Sequence, residues 1–429
     1  MHFVKELIHI EVSQAAAMSD HSNNCVEVEL RPFKHQVGGH TCVLELTRST
    51  ICKPYVEREA WFYENEPEEL KDFTPKYLGE TYVTCDIQND RKFLVARVTS
   101  EIASRDGPAR AENHHEPVQH SAYNPCVKKR RKRPHSDSIS GLEAWSSTCI
   151  DRQINQYGFW ANNQPQKFII LENLVCDYER PCLMDLKMGV RKYGPDDETE
   201  EKRKLLEDRY ALSTSATLGF RLCGSQVYKP KINVYTFHDK YFGRALDPEG
   251  AIKELMQFFH NGVELRVDVI RQVVSKLESL QSALMSQKRI FFNSASLLII
   301  YDGKTNRCST CKSCSKDLSL DTKNENSSTK LSDEIVHDLS NLDTSSAIAT
   351  CSDTSQVKSD NNDKPFCEKC FDKETKTTKV DVRVIDFANV TENMVSKDGV
   401  ENIADDTIVY GLMKLKEILA QILKDNESV

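Results

Sequence analysis

Two long polar stretches, roughly residues 100–150 and 305–378, constrain this 429-residue chain more than any other feature. The first is rich in Pro, His and Ser, the second in Ser, Asp, Asn, Thr and Lys. Neither holds enough apolar surface to offset the entropy lost on ordering it, so both are read as disordered insertions. The folded body must then come from the periodic blocks that remain. A hydrophobic share of 39% and a mean hydropathy of −0.53 agree with such an interrupted chain.

The periodic blocks mix both kinds of element. Val26, Val28 and Leu30 alternate with Glu27 and Glu29, and Val37-Gly38-Gly39-His40 supplies a turn before Val43-Leu44-Glu45-Leu46. Arg58–Tyr63, with Pro67 beyond, reads as a helix. Helical periodicity returns at 249–260, 264–287 and 407–424, and apolar strands at 296–301 and 380–387. Residues 1–24 show no pattern and are read as a flexible N-terminus.

Charge and cysteine usage narrow the function. A net charge of −8 argues against general nucleic-acid binding, which needs a basic field, so an anionic ligand requires a local basic pocket. No apolar run is long enough to span a membrane, and the N-terminus lacks a signal-peptide pattern. The 15 cysteines are scattered and odd in number, which fits reduced thiols in a cytoplasmic and nuclear protein.

The richest chemistry lies in Pro181-Cys182-Leu183-Met184-Asp185-Leu186-Lys187-Met188-Gly189. Residues i and i+2 of a strand share a face, so Asp185 and Lys187 project into one space. A carboxylate beside an ammonium, followed by a glycine where the chain turns, suits phosphoryl transfer; taken alone it is more often a surface ion pair. Lys53 ends one apolar pattern just before a helical one, where it can reach phosphates and be fixed by Glu59 or by its rival Glu57. Asp386 closes the apolar segment Val380–Ile385, and a strand terminus can offer a hard carboxylate to Mg²⁺. Basic residues gather between 187 and 244: Lys187, Arg191, Lys192, Arg221, Lys229, Lys240 and Arg244. Arg and Lys are the natural holders of phosphate, although some of these serve only as solvated surface.

The 181–189 segment resembles the PxxxDxKxG signature of the inositol polyphosphate kinases. Ser213–Tyr228, Lys240-Tyr241-Phe242-Gly243-Arg244 and Glu29–Gly79, including Lys53-Pro54, resemble the hexakisphosphate kinase branch of that family. Together the resemblance covers about 30–97, 167–304 and 380–424. It implies an α+β, two-lobed protein-kinase-like fold, with an N-lobe over 25–172 and a C-lobe over 173–429. A small helical substrate-binding subdomain is expected over about 197–262. The implied reaction is ATP- and Mg²⁺-dependent phosphorylation of inositol hexakisphosphate. Lys53 would steady ATP, and the hinge with Glu172 and Leu174 would meet adenine. Asp185 would orient ribose or acceptor, Lys187 would balance charge, and Asp386 with Ser296 would hold metal. Lys187, Arg191, Lys192, Lys240 and Arg244 would bind substrate. Ala295 stands where that branch usually carries a serine.

Two features lie outside the resemblance. Cys308, Cys311, Cys367 and Cys370 form two Cys-x2-Cys pairs flanking the second insertion, a donor set that structural zinc can use. Lys128–Arg133 is a run of six basic residues that can direct nuclear import. The alternatives are a multikinase or trisphosphate 3-kinase, an inactive kinase-like scaffold, and a zinc-centred interaction module.

Overall fold

The computed structural model describes residues 25–39, 42–88, 91–106, 164–189, 199–304, 377–392 and 406–427. Residues 1–24, the basic run, Arg191, Lys192, the four zinc-candidate cysteines and most of both insertions lie outside these.

The N-terminal alternation builds a closed six-stranded antiparallel barrel. Its strands are β1 (Cys25–Pro32), β2 (Leu44–Thr47), β3 (Thr50–Pro54), β4 (Tyr77–Gln88), β5 (Arg91–Thr99) and β6 (Gln166–Glu172). They follow the order β1-β2-β3-β6-β4-β5, and β5 returns to pair with β1, leaving no open edge. Leu30, Leu44, Leu46, Cys52, Val83, Ala96, Phe168 and Ile170 fill the interior. The sequence pointed only to antiparallel strands; closure needs long-range pairing that periodicity does not encode. Two helices, α1 (Glu57–Glu64) and the single-turn α2 (Ser100–Ala103), belong to this half.

The second half centres on a five-stranded sheet of order β12-β11-β7-β8-β9. It contains β7 (Pro181–Met188), β8 (Phe220–Lys229), β9 (Val234–His238), β11 (Ser296–Asp302) and β12 (Val380–Ile385). Period-two alternation splits the sheet into two faces. Met184, Leu186, Met188, Leu297, Ile299, Tyr301, Val382 and Val384 enter the main core. Leu183, Leu298 and Ile385 look the other way, together with Asp185, Lys187 and Ser296, toward the first half. A short ribbon of β10 (Ile290–Phe292) and β13 (Val390–Glu392) completes the strands.

Seven-residue spacing sets the helices beneath that core. The helix α7 (Val267–Ser286) buries Val269, Ile270, Val273, Leu277, Leu280 and Leu284. The helix α8 (Asp406–Glu427) buries Ile408, Leu412, Leu415, Leu419 and Ile422. The helices α7 and α8 pack directly on each other; α4 (Ser215–Leu218) packs on α8 and α3 (Glu200–Ala211) on α4, while α5 (Lys240–Ala245) and α6 (Pro248–Phe258) pack on β8. Asp247 caps α6, with its carboxylate accepting from the Gly250 amide and Pro248 in the first turn. No helix among the described residues is long and apolar enough to cross a membrane.

The stretch 197–262 is less helical than expected. Its helices flank β8 and β9, which are integral strands of the main sheet. Phe220, Leu222 and Gly224 alternate with more polar neighbours, a period-two signal that the surrounding helices mask.

Tyr301 is fully buried and its hydroxyl donates to the Phe258 carbonyl at 2.6 Å, tying the sheet to the end of α6. Tyr301→Phe strips that carbonyl of its donor and should lower stability by about 1–3 kcal/mol. Urea unfolding reads this as a lower midpoint at constant m-value; an unmoved midpoint contradicts the assignment.

Candidate active site

The barrel and the five-stranded sheet meet over a cavity of about 380 Å³. From the first half it takes Ile51 and Lys53 of β3 and Glu59 and Tyr63 of α1, with Phe33 and His35–Gly39 from the β1–β2 loop. From the connection between halves it takes Leu171–Val175. From the sheet it takes Leu183, Asp185, Lys187, Arg221, Cys223, Ser296, Leu298 and Ile385, followed by Asp386, Ala388 and Asn389.

Strand register explains why these groups converge. Lys187 lies opposite Arg221 on one side and Ser296 on the other, and Ser296 in turn faces Ile385. Asp185 lies two residues before Lys187 and opposite Leu298. The register shifts between Asp185 and Leu186, making Cys223 the extra residue of a bulge that brings it to the cavity wall.

Asp386 is the centre of the site. It follows β12 directly, and its φ of 69° places a non-glycine residue in the left-handed region. Such strain persists only where surroundings impose it. Lys53 Nζ donates to its Oδ1 at 3.2 Å and Lys187 Nζ donates to its Oδ2 at 2.5 Å. The lysines come from different halves of the molecule. Burial alone would raise the Asp386 pKa, but the two ammonium groups outweigh it and hold the carboxyl well below its usual range. Its side chain keeps 35% of its surface open in the cavity, within reach of a ligand.

The neighbouring groups lock this arrangement. Lys53 also donates to Glu59 Oε1 at 2.7 Å. Burial opposes its charge, yet Glu59 and Asp386 keep its ammonium above the usual range. Glu59 is therefore the partner that the sequence left undecided; Glu57 is exposed. The Phe387 amide donates to the same Glu59 oxygen at 3.3 Å, and the Phe387 ring stacks on Phe62 of α1 with centroids 3.8 Å apart. Thus α1, Lys53 and the strained Asp386 turn form one unit.

Asp185 is buried, and its Oδ1 has no hydrogen-bond partner. Burial pushes its pKa up to about 6, against the pull of Lys187 and a hydrogen bond from Ser296. The β1–β2 loop presses on it: a Cβ at Gly38 would come 1.9 Å from Asp185 Oδ2. Only glycine permits that approach.

The remaining sequence candidates divide clearly. Lys240 and Arg244, one turn apart on α5, both line the cavity, as does Arg221. Lys229 does not; its ammonium donates to the His260 carbonyl at 2.6 Å. Glu172 and Leu174 both line the cavity, and the Glu172 side chain also accepts from the Lys76 amide at 3.2 Å, bracing the connection. Ala295 faces the main core, and Ser294 and Ser296 on either side reach the cavity. An alanine there is a packing choice that leaves the cavity wall intact. Sequence reasoning missed Asn389, whose side chain donates to Ser294 Oγ at 2.8 Å; only the turn after Asp386 brings it back. It also missed His35 and Cys223, placed by a loop and a bulge without sequence marks.

A phosphate-bearing ligand fits this wall of cations around an ionised, partly open carboxylate. The model of a family described as inositol polyphosphate kinase matches residues 168–420. The chain belongs to the inositol polyphosphate kinase family. Inositol hexakisphosphate kinase 2 of Rattus norvegicus is 32% identical over 445 residues, spanning 92% of this chain and 95% of that one. Inositol hexakisphosphate kinase 1 of Homo sapiens is 33% identical over 444 residues, spanning 93% and 95%. Among solved structures, an inositol phosphate multikinase from S. cerevisiae in complex with ADP and Mn²⁺ is 18% identical. It matches with a TM-score of 0.39, covering 60% of this chain and 84% of that one. Leu183, Asp185 and Lys187 of the 181–189 motif line the cavity in this family member.

The Asp185 shift carries a sign. Its folded pKa lies above the unfolded value of 3.8. Below that value both states are protonated and no cost arises; above about 6 the folded state bears the full cost of a buried charge. Asp185→Asn should therefore gain stability relative to wild type as pH rises from about 4 to 6, reaching about 1–3 kcal/mol. Urea midpoints across that range test it; a constant difference contradicts the raised pKa.

Proposed function

We propose that this chain transfers the γ-phosphoryl group of ATP to inositol hexakisphosphate, forming diphosphoinositol pentakisphosphate. The observation that carries the reading is Asp386, held between Lys53 and Lys187 at the junction of the two halves. The names of the relatives and the basic wall formed by Arg221, Lys240 and Arg244 support the same substrate class.

Phosphoryl transfer asks a protein mainly to position groups and offset charge. The apolar slot of Ile51, Leu174, Leu298 and Ile385, beside the backbone of Glu172–Leu174, would take the adenine. Lys53 would steady the ATP phosphates, and Lys187 would balance charge at the transferring group. Arg221, Lys240 and Arg244 would hold the phosphates of the ring, with Arg191 and Lys192 as further candidates. The donor chemistry fits Mg²⁺: Asp386 is ionised and open, and Ser296 and the unpartnered Asp185 Oδ1 are near. Asp386 with Ser296 would hold that ion, which supplies charge neutralisation between the ATP phosphates. The acceptor is a phosphate oxygen already ionised at neutral pH, so no strong base is required.

A second reading draws on Asp185. A carboxyl with a pKa of about 6 at the cavity can take a proton from a hydroxyl acceptor, as a multikinase or trisphosphate 3-kinase reaction needs. Polyphosphate electrophoresis or phosphorus NMR of the product separates a diphosphate from a new monoester. A scaffold without activity would give neither. A cytoplasmic and nuclear location, with the run 128–133 directing import, is part of the same proposal. Any zinc at Cys308, Cys311, Cys367 and Cys370 is to be sought by metal analysis of the purified chain.

Asp386→Ala should lower turnover by at least about 10²–10³-fold while the protein remains folded by circular dichroism. Normal turnover by a folded variant overturns the role of Asp386.

A further inference from the structure

Beside the basic wall lies a partly buried network that lines no part of the cavity. His238 ends β9, and its Nδ1–H donates to Glu254 Oε1 of α6 at 2.8 Å. Ser225 Oγ of β8 donates to the same oxygen at 3.0 Å. Glu254 is 4% exposed, and nothing in the proposed chemistry uses it. A buried carboxylate is costly unless its acceptors are filled, and these two donors fix it between β8 and β9.

The network is joined directly to α5. The imidazole of His238 stacks on Phe242, with ring centroids 4.0 Å apart and planes 19° apart. Asp239, the next residue, caps α5: its Oδ1 accepts from the amides of Tyr241 and Phe242, both at 2.9 Å. On the opposite turn, a Cβ at Gly243 would meet the Leu222 carbonyl oxygen at 2.2 Å, so α5 sits directly on the β8 backbone. The helix is only six residues long and lacks the length to hold itself, so its orientation comes from these three attachments. Its two cavity residues, Lys240 and Arg244, take their direction from that orientation.

We propose that His238 is a positioning residue for the anionic acceptor. Bonded to Glu254, its ring sets the plane on which Phe242 packs and thereby aims Lys240 and Arg244 at the acceptor's phosphates. This rests on the reading of the cavity as an inositol polyphosphate site. Contacts from α5 hold the acceptor equally in ground and transition states, so their loss raises KM for the acceptor and leaves kcat and the ATP KM in place.

The test compares the full chain with its His238→Ala and His238→Asn variants. Steady-state kinetics vary ATP and inositol hexakisphosphate separately, and backbone hydrogen exchange follows 240–245. His238→Ala should raise the acceptor KM by about tenfold, with kcat and ATP KM within about twofold, and should speed exchange over α5. His238→Asn keeps a planar group with an N–H where Nδ1 stood and should recover most of the acceptor affinity. An active His238→Ala variant with an unchanged acceptor KM overturns the proposal. So does a loss spread evenly over both KM values and kcat, or an Asn variant as impaired as Ala. If wild type itself fails to phosphorylate inositol polyphosphates, the functional reading falls. Faster exchange over α5 in His238→Ala would then still uphold the coupling of His238 to the helix, and unchanged exchange would end that too.

Discussion

A single carboxylate shared between two ammonium groups holds the molecule's working arrangement together. Asp386 sits in the left-handed backbone region, at a cost for any residue but glycine, and Lys53 and Lys187 reach it from the barrel and the sheet respectively. Removing one partner from such a cluster leaves a buried charge poorly compensated, so each side depends on the other. Glu59 and Phe387 extend the constraint into α1 through a hydrogen bond and a stacked ring. Among the described residues Arg221, Lys240 and Arg244, farther along the wall, form no salt bridge with a carboxylate, and phosphate is a natural counter-charge for them.

The flow from sequence to site runs through strand register. An Asp-x-Lys pair on a strand shares a face whatever the fold, and the pairing of β7 with β11 and β8 adds Ser296 and Arg221 to that face. The same alternation turns Ala295 and Met184 toward the core. Function and packing thus divide one sheet between its two sides, which is why a serine-to-alanine difference at 295 sits comfortably in an intact cleft.

Much of this was legible in advance because it rests on local periodicity. The helices near 249–260, 264–287 and 407–424, the strands near 296–301 and 380–387, and the Asp185, Lys187, Asp386 and Lys53 set all show in the sequence. What did not show depends on contacts between distant residues. Glu59 and Glu57 are indistinguishable until α1 is rotated against Phe387. The barrel closes only through the β1–β5 pairing, and β8 hides inside a stretch dominated by helices. Glu172 lines the cavity as expected, but that its carboxylate also accepts from the Lys76 amide depends on a pairing between distant segments. The link from Glu254 through His238 to α5 spans sixteen residues and two element types, with no motif to mark it.

The most direct test of this account is the metal dependence of nucleotide binding. Calorimetry of a non-hydrolysable ATP analogue, with Mg²⁺ and with EDTA, should show tighter binding with metal for wild type. In Asp386→Asn the two values should converge, because the carboxylate that Lys53 and Lys187 keep ionised is gone. An undiminished benefit from Mg²⁺ in that variant would contradict the central place given to Asp386.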